Sequence, residues 1–341
     1  MRHSTLVGLL ALTFGLLASP VFAQGKLTLY CSSDEAWCQQ AKTEFEKKTG
    51  VAVDMTRKSS GETYAQIKAE ATNPKGDIWW GGTGDPHLQA AEEGLTQAYV
   101  SQARDQLFDW ANRQAAASKD RTVGIYSGAL GYGYNEELLK KQGLSAPSCW
   151  KDLIKPEFKG KVQVANPNSS GTSYTMLATL VQMMGEKEAF DYLRALHKNI
   201  NQYTKSGSAP IKAAGAGETV IGIVFVHDAV AVAEAGFPIK SVVPCEGTGY
   251  EIGSMSIVKG ARNIDNAKKF YEFALSADFQ SKAKDVKSFQ VPSNKASSIS
   301  AKAPDLAKIK LIDYDFVKYG SSAERRRLLK KWDEEIGALP N

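Results

Sequence analysis

The sequence of 341 residues lacks the motifs that mark several common protein classes. It contains neither a G-x-x-x-x-G-K-[ST] nucleotide-binding loop nor a G-x-S-x-G nucleophile elbow. Its formal net charge is only +5, and basic residues alternate with acids, as in Glu136-Glu137 before Lys140-Lys141. Such charges indicate solvated helix faces and not a nucleic-acid track. We therefore expect no enzymatic activity, no cofactor and no nucleic-acid partner.

Long apolar runs are scarce, and the most prominent one stands near the N-terminus. Arg2 precedes the apolar residues Leu6 to Leu17, and small residues follow from Ala18 to Ala23. This order predicts a secretory signal peptide over residues 1–23, cleaved after Ala23. The run is short for a membrane span, and no cysteine stands at the cleavage point to carry a lipid. We expect an exported, freely soluble protein, most simply of a bacterial periplasm.

Cysteine is also scarce, with four in the chain. Cys31 and Cys38 are close in sequence, as a disulfide between a loop and a helix would require, and Cys149 and Cys245 would then close a long loop. Four cysteines permit three pairings, and we favour this one. A zinc site is the alternative, but the spacings lack a second close pair and an exported protein meets an oxidising compartment.

The rest of the chain alternates between strand-like and helix-like segments. The predicted strands are 26–30, 51–55, 77–80, 162–165, 220–225 and 239–244, and the predicted helices include 37–49 and 172–184. This alternation predicts an α/β fold with doubly wound, mainly parallel sheets. The apolar run 220–225 is typical of a strand that is buried on both faces.

Two extended segments, 123–135 and 250–258, are predicted to cross between two such units. The fold would then have two lobes with a ligand cleft between them. We expect residues 24–124 and 257–341 to form the N-terminal lobe, which includes the helical tail. Residues 125–256 would form the C-terminal lobe.

Two similar stretches open helices at corresponding places in the two lobes. SSGETY starts at Ser59 and SSGTSY starts at Ser169, each after a predicted strand. Ligands of doubly wound sheets lie beyond the carboxyl ends of the strands, and a helix start offers unpaired N–H groups to an anion. The serines alternatively serve only as helix caps. Two matching positions favour a shared ligand, with Ser59, Ser60, Ser170, Gly171 and Thr172 as contacts.

Several stretches together resemble the periplasmic solute-binding proteins of ferric-iron-type ABC importers. They are Leu29-Tyr30-Cys31-Ser32, Asp77 to Thr83, Gly131 to Asn135, Trp150 to Leu153, and Asn166-Pro167 with Ser169 to Thr172. The resemblance covers nearly the whole chain after residue 23. It implies a two-lobe fold that closes around a ligand. It also implies a membrane permease with its ATPase as partners.

The sequence departs from the iron binders at one informative place. Those proteins carry adjacent tyrosines after the strand near position 225, whereas this chain has Val226-His227-Asp228-Ala229. Without two phenolates, ferric iron is not the expected ligand, and a softer metal lacks a third and fourth ligand. Adjacent His227 and Asp228 at a strand end would face apart, so a hydrolytic triad is not expected either.

The same residues, with the stretch from Pro244 to Gly253, resemble the organophosphate branch of the family. That branch includes binders of hexose phosphates and, nearby, of 2-aminoethylphosphonate. The resemblance implies ligand contacts at His227, Asp228, Glu251 and Ser59, and we add Ser32 and Thr83 as further contacts. Ionised carboxylates would repel a phosphate, so Asp228 and Glu251 suit sugar hydroxyls or an ammonium at the far end.

We therefore expect a monomer that binds a phosphorylated small solute, most simply a hexose phosphate. A 2-aminoethylphosphonate binder is the alternative, and a ferric-iron binder is less favoured. The other histidines, His87 and His197, look like surface positions. The basic residues from Arg325 to Arg327 are expected on a solvated helix face.

Overall fold

The computed structural model describes residues 25–340. The strands are β1 (Lys26–Cys31), β2 (Ala52–Arg57), β3 (Ile78–Trp80), β4 (Thr96–Gln97), β5 (Val123–Asn135), β6 (Val162–Ala165), β7 (Ile200–Thr204), β8 (Ile221–Phe225), β9 (Ile239–Val242), β10 (Tyr250–Val258) and β11 (Val291–Pro292). The predicted strands and crossing segments are confirmed to within a few residues. The predicted signal peptide, 1–23, lies outside the described residues.

The helices lie mainly between these strands. They are α1 (Glu35–Thr49), α2 (Ser60–Ala69), α3 (Gly84–Glu92), α4 (Asp109–Ala117), α5 (Glu136–Lys141), α6 (Gly171–Met184), α7 (Glu186–His197), α8 (Ala209–Ala216), α9 (Val226–Glu234), α10 (Ile264–Leu275), α11 (Ala277–Ser281), α12 (Phe316–Tyr319) and α13 (Ser322–Trp332). Short 3₁₀ turns occupy Arg104–Gln106, Trp150–Ile154, Pro156–Phe158, Lys282–Val286 and Leu306–Lys308, and a π-helical turn occupies Asp333–Gly337. Across residues 25–340, no helix has the length and apolar character needed to cross a membrane.

The strands form one sheet in the order β2-β1-β3-β10-β5-β8-β6-β7. In addition, β4 pairs with β10, and β9 and β11 pair with β5. β1 is parallel to β2 and β3, and β6 is parallel to β7 and β8. Between these two parallel groups, β5 and β10 pair antiparallel to each other. β5 then continues beside β8 and β9. The two groups are the centres of two lobes, and β5 and β10 connect them.

Local sequence explains how these elements form. In α1, the buried side chains Trp37, Ala41 and Phe45 recur four residues apart, so one face of the helix packs on the sheet. The helix ends at Gly50, whose φ of 69° is left-handed and therefore favours a residue without a Cβ. In contrast, β8 is buried at every residue, as predicted for a strand covered on both faces.

Each lobe has its own hydrophobic core. The first core contains Trp37, Trp80 and Phe270, and the Trp37 and Trp80 rings meet edge to face with centroids 4.9 Å apart. The second core contains Trp150 and Phe190, among other large side chains. Because each core is complete in itself, the lobes can move relative to each other without exposing either core.

The end of the chain packs differently from the prediction. α10 and α11 contribute Phe270 and Phe279 to the first core. Leu328, Trp332 and Ile336, however, are buried in the second core, because one face of the last helix is apolar and lies against that lobe. The final part of 257–341, which was predicted to belong to the N-terminal lobe, therefore packs on the core of the other lobe. The lobe boundaries themselves stay a prediction.

Both favoured disulfides are present. The Cα atoms of Cys31 and Cys38 lie 6.0 Å apart, and those of Cys149 and Cys245 lie 4.7 Å apart. Within the described residues, the one cluster of three side chains with metal-ligand spacing is Cys149, Cys245 and Glu246. Its two sulfurs are bonded to each other and are not the thiolates that zinc requires.

Three side chains expected at the surface are buried. His87 is fully buried, stacks on Trp79 with ring centroids 3.5 Å apart, and its Nδ1 lies 2.8 Å from Ser256 Oγ. His197 is buried beside Tyr203. Arg325 is only 2% exposed, because it lies on the face of α13 that meets the rest of the protein. The surface expectation was wrong for all three.

Candidate functional site

A polar cleft lies between the lobes, beyond the carboxyl ends of the parallel strands. All ten residues predicted as ligand contacts line this one cleft. They are Ser32, Ser59, Ser60, Thr83, Ser170, Gly171, Thr172, His227, Asp228 and Glu251. The fold therefore brings together residues that are more than 200 positions apart in the sequence. Their contact with a ligand stays a prediction.

Several lining residues were missed by the sequence prediction: Ser33, Asp34, Arg57, Gly82, Tyr126, Gly207, Ser208, Phe225 and Gln290. Asp34 stands between a strand and a helix, as Ser59 and Ser170 do, so the same signal was available for it. Arg57 ends β2 at the same edge of the sheet. Gln290 comes from the tail, and no local pattern marks it.

Six helices begin at this cleft. The residues that precede α1, α2, α3, α6, α8 and α9 all line it, and they are Asp34, Ser59, Thr83, Ser170, Ser208 and Phe225. The first N–H groups of a helix have no acceptor within it, and its N-terminal end carries a partial positive charge of about half a unit. Six such ends favour an anion in the cleft, although the acids Asp34 and Asp228 lie at the starts of α1 and α9.

Ser170 caps α6 through its hydroxyl oxygen, whereas Ser59 takes part in the cap of α2 through its backbone N–H. The Ser170 hydroxyl oxygen accepts the Ser173 N–H at 3.4 Å. The Ser59 N–H donates to Glu62 Oε2 at 3.3 Å. A hydroxyl group that accepts one hydrogen bond still has its own hydrogen to donate. For Ser170, the capping interpretation and the ligand-contact interpretation are therefore compatible.

The two lobes touch each other across this part of the cleft. The Gly61 N–H at the start of α2 donates to the Ser169 carbonyl oxygen at 3.0 Å. A Cβ atom added to Gly171 would lie 1.9 Å from Thr83 Oγ1. Glycine is therefore needed at position 171 for the close approach of the two lobes. The lobes are closed on each other.

Acidic side chains occupy another part of the cleft. His227 Nε2 lies 3.7 Å from Asp228 Oδ1 and 3.8 Å from Glu251 Oε1, and all three residues are buried. His227 and Asp228 follow β8, as predicted, and belong to the first turn of α9, so the expectation that they face apart as neighbours on a strand does not apply. Both separations are longer than a hydrogen bond, so neither carboxylate orients the imidazole directly.

Burial changes the proton affinity of these groups. Desolvation raises the pKa of Asp228 well above its usual value, and the neighbouring charge of Asp34 adds to this increase. Desolvation also raises the pKa of Glu251, and Asp228 and Asp34 contribute by repulsion. The His227 pKa is lowered to about 4 because burial disfavours the imidazolium. His227 is therefore neutral at pH 7 and offers one donor and one acceptor.

The hydroxyl groups in the cleft are not equally available. The Ser32 hydroxyl oxygen accepts the Trp79 indole N–H at 2.9 Å and lies 3.0 Å from Thr63 Oγ1, so it mainly supports the cleft wall. In contrast, Thr83 Oγ1 and His227 Nδ1 are buried and have no partner among the described residues. Buried polar atoms normally have partners, so both atoms are suited to contacting a ligand.

The sequence is similar to those of known bacterial proteins. A family model described as bacterial extracellular solute-binding protein matches residues 74–319. A Haemophilus influenzae protein, itself uncharacterized, is 47% identical over 92% of this chain and 91% of its own length.

Two further similar proteins have informative names. The periplasmic binding protein AfuA from Actinobacillus pleuropneumoniae, solved with fructose-6-phosphate bound, is 48% identical with a TM-score of 0.90. The match covers 93% of this chain and 100% of AfuA. A Salmonella paratyphi A protein, provisionally named a 2-aminoethylphosphonate-binding periplasmic protein, is 26% identical over 80% of both chains.

Proposed function

The chain belongs to the bacterial extracellular solute-binding protein family, and from that premise we propose that it binds a hexose phosphate in the periplasm for an ABC importer. It would perform no chemistry on this solute. A permease and an ATPase in the inner membrane would be its partners, and the protein would act as a monomer.

This proposal rests on the unequal distribution of polar groups in the cleft, with hydrogen-bond donors in one part and acidic side chains in another. Hydroxyl and N–H donors gather at one end, where Thr83, Ser170 and Gly171 meet. A phosphate at the helix starts would accept hydrogen bonds from both lobes and so favour their closure. Arg57 lines the cleft as well and can contribute a charge-assisted hydrogen bond.

The acidic part of the cleft would receive the sugar. A carboxyl group accepts hydrogen bonds from hydroxyl groups, and its repulsion of phosphate fixes the orientation of the ligand. Neutral His227 can donate to one hydroxyl group or accept from another. The bound fructose-6-phosphate of AfuA supports a solute with these two chemically different ends.

A second candidate is 2-aminoethylphosphonate. The three acids Asp34, Asp228 and Glu251 favour it, since they could surround an ammonium group. A phosphonate would bind the same helix starts as a phosphate. The similarity to the Salmonella protein supports this candidate at lower identity.

Isothermal titration calorimetry of the purified protein separates these candidates. Fructose 6-phosphate and glucose 6-phosphate would be titrated beside 2-aminoethylphosphonate, with free fructose and inorganic phosphate as controls. We expect at least one hexose phosphate to bind at micromolar Kd or tighter, and both controls to bind far more weakly. Tighter binding of 2-aminoethylphosphonate would favour the second candidate, and binding of ferric ion alone would exclude both. Steady release of phosphate from a bound ester would contradict a purely binding role.

A further inference from the structure

Arg325 is a buried cation outside the cleft with few hydrogen-bond partners. It lies on α13, and its NH1 donates to Gln89 Oε1 of α3 at 2.9 Å. Its guanidinium carbon lies 4.6 Å from the centroid of the Tyr174 ring of α6. Its Nε and NH2 atoms are buried and have no hydrogen-bond partner among the described residues. Burying a guanidinium group in this way is unfavourable unless its surroundings compensate.

Asp85 is a buried acid on α3, four residues before Gln89, and it senses the positive charge of Arg325. It is only 1% exposed, and its Oδ1 accepts the Tyr314 hydroxyl at 3.2 Å. Burial raises the Asp85 pKa to about 6, and the positive charge of Arg325 opposes that increase. The two charges are coupled although they form no direct ion pair.

The residues around Arg325 lie in the same helical turns as residues that line the cleft. Asp85 follows Thr83 by two residues, and Tyr174 follows Gly171 by three. The first turns of α3 and α6 belong to different lobes, and they meet where Thr83 approaches Gly171. Arg325 thus contacts both helices that present these cleft residues.

The rest of α13 is fixed to both lobes. Leu328 and Trp332 are buried in the second core. At the other end of the helix, the Ser322 N–H donates to Glu92 Oε2 at 2.6 Å, and Arg326 NH1 donates to Glu93 Oε1 at 2.6 Å. α13 can therefore hold Arg325 in place between α3 and α6.

We propose that Arg325 is a positioning residue for ligand binding, which holds the first turns of α3 and α6 in the arrangement where Thr83 and Gly171 face one ligand. The affinity part of its test rests on the proposed hexose-phosphate function. A merely structural arginine would affect stability alone, and Arg325→Met is expected to lower stability because buried Asp85 loses the positive charge that opposes its burial. A loss of ligand affinity at a temperature where the variant is fully folded, together with faster hydrogen exchange in the two first turns, is therefore diagnostic.

The test compares Arg325→Met with Arg327→Met in the full mature chain. Arg327 is the matched control, because it lies on the same helix and its exposed guanidinium pairs with Glu186 of α7 and with Glu324 of α13 itself. We expect Arg325→Met to weaken fructose 6-phosphate binding about tenfold or more, and Arg327→Met to change the Kd less than about twofold. The thermal midpoint of Arg327→Met should stay close to that of the parent protein, whereas that of Arg325→Met should fall, so both titrations are run well below the lower midpoint.

Hydrogen exchange without ligand tests the positioning separately. We expect faster exchange at the amides of residues 83–87 and 171–175 in Arg325→Met, and no change there in Arg327→Met. If Arg325→Met fails to fold, Arg325→Lys retains the charge but loses the fork of donors, and it should show a smaller change of the same kind. Unchanged exchange in these turns overturns the proposal, as does an equal effect of Arg327→Met. If the parent protein binds no hexose phosphate, the proposed function fails while the exchange data still decide the role of Arg325.

Discussion

At the scale of single residues, the acidic end of the cleft determines which solute fits. Glu251 is 2% exposed and has no lysine or arginine within ion-pair distance among residues 25–340; its contact at 3.8 Å is with neutral His227. Such a carboxyl group needs the hydroxyl groups or the ammonium group of a ligand to satisfy it. Its neighbour Asp228 is in the same situation, which explains why burial and mutual repulsion raise the pKa of both groups.

Glu251→Gln should weaken hexose-phosphate binding about tenfold or more, because an amide offers one acceptor oxygen where the carboxyl group offers two. Calorimetry with fructose 6-phosphate measures the change. Glu246→Gln is the matched control, since Glu246 accepts the Trp150 N–H at 2.8 Å outside the cleft. Equal losses in both variants would contradict the assignment of Glu251 to the ligand.

His87 makes stability depend on pH. Burial lowers its folded-state pKa to about 3, whereas the unfolded chain has the ordinary value near 6.5. Below pH 6.5 the unfolded state therefore binds more protons, so the stability associated with neutral His87 is present above that pH and is lost as the pH falls towards 3. The loss approaches about 1.4 kcal/mol for each pH unit.

The matching experiment uses His87→Gln, which cannot titrate. Urea unfolding at pH 7.0, 6.0 and 5.0 should show the parent protein losing stability relative to the variant by about 1.2 kcal/mol between the last two values. A constant difference across this range would show that His87 is not buried in its neutral form. Asp85, Asp228 and Glu251 titrate in both proteins, so the comparison cancels their contribution.

Much of the cleft could be predicted from the sequence, and the exceptions have physical causes. Ser59 and Ser170 were found because a strand end before a helix start is a local pattern. Gln290 was missed because only tertiary folding places it near the cleft. Arg325 was predicted at the surface because it belongs to a run of three basic residues, and such runs are usually exposed. The sequence alone does not show that Arg325 points towards the protein interior while its two neighbours point to solvent.

At the scale of elements, the glycines at the helix starts allow the two lobes to approach. Gly61 and Gly171 both lie in first helical turns and both face backbone or side-chain atoms of the other lobe. A Cβ atom at Gly61 would lie 2.2 Å from the Asn168 carbonyl oxygen. At both positions, the atoms nearest to an added Cβ belong to the other lobe, so a larger residue would clash when the lobes are closed.

Gly171→Ala should weaken ligand binding strongly, by about a hundredfold, while the unliganded protein stays folded. The added methyl group would clash with Thr83 only when the lobes are closed, and opening relieves that clash. Calorimetry gives the affinity, and the unfolding midpoint without ligand gives the stability. A large drop in that midpoint would show that the clash arises within one lobe and not between two.

At the scale of the whole molecule, two cores and two connecting strands predict a hinge. β5 and β10 join the lobes, and the aromatic rings of Tyr250, Tyr314 and Phe316 pack together where the tail meets β10. The two-lobe α/β architecture was predictable because strands and helices alternate. The position of the tail was not, since an amphipathic helix such as α13 can pack on either lobe.

Ligand binding should close this hinge. Small-angle X-ray scattering should show a radius of gyration that falls when a saturating hexose phosphate is added, and the thermal midpoint should rise at the same time. At a ligand concentration of one hundred times the Kd, the added stability should be about 2.7 kcal/mol. A rise in midpoint with an unchanged radius of gyration would show that the unliganded protein is already closed in solution.

The convergence of six helix starts has a consequence for the range of solutes that such a scaffold can carry. Its attraction for an anionic head group comes mostly from peptide dipoles, which no exchange of side chains removes. Substitutions among the acids and the histidine, which lie at the starts of α1 and α9 and on β10, can therefore alter which tail is recognised while the other helix starts still bind the head group. A few substitutions in the same fold can in this way change which solute the protein binds.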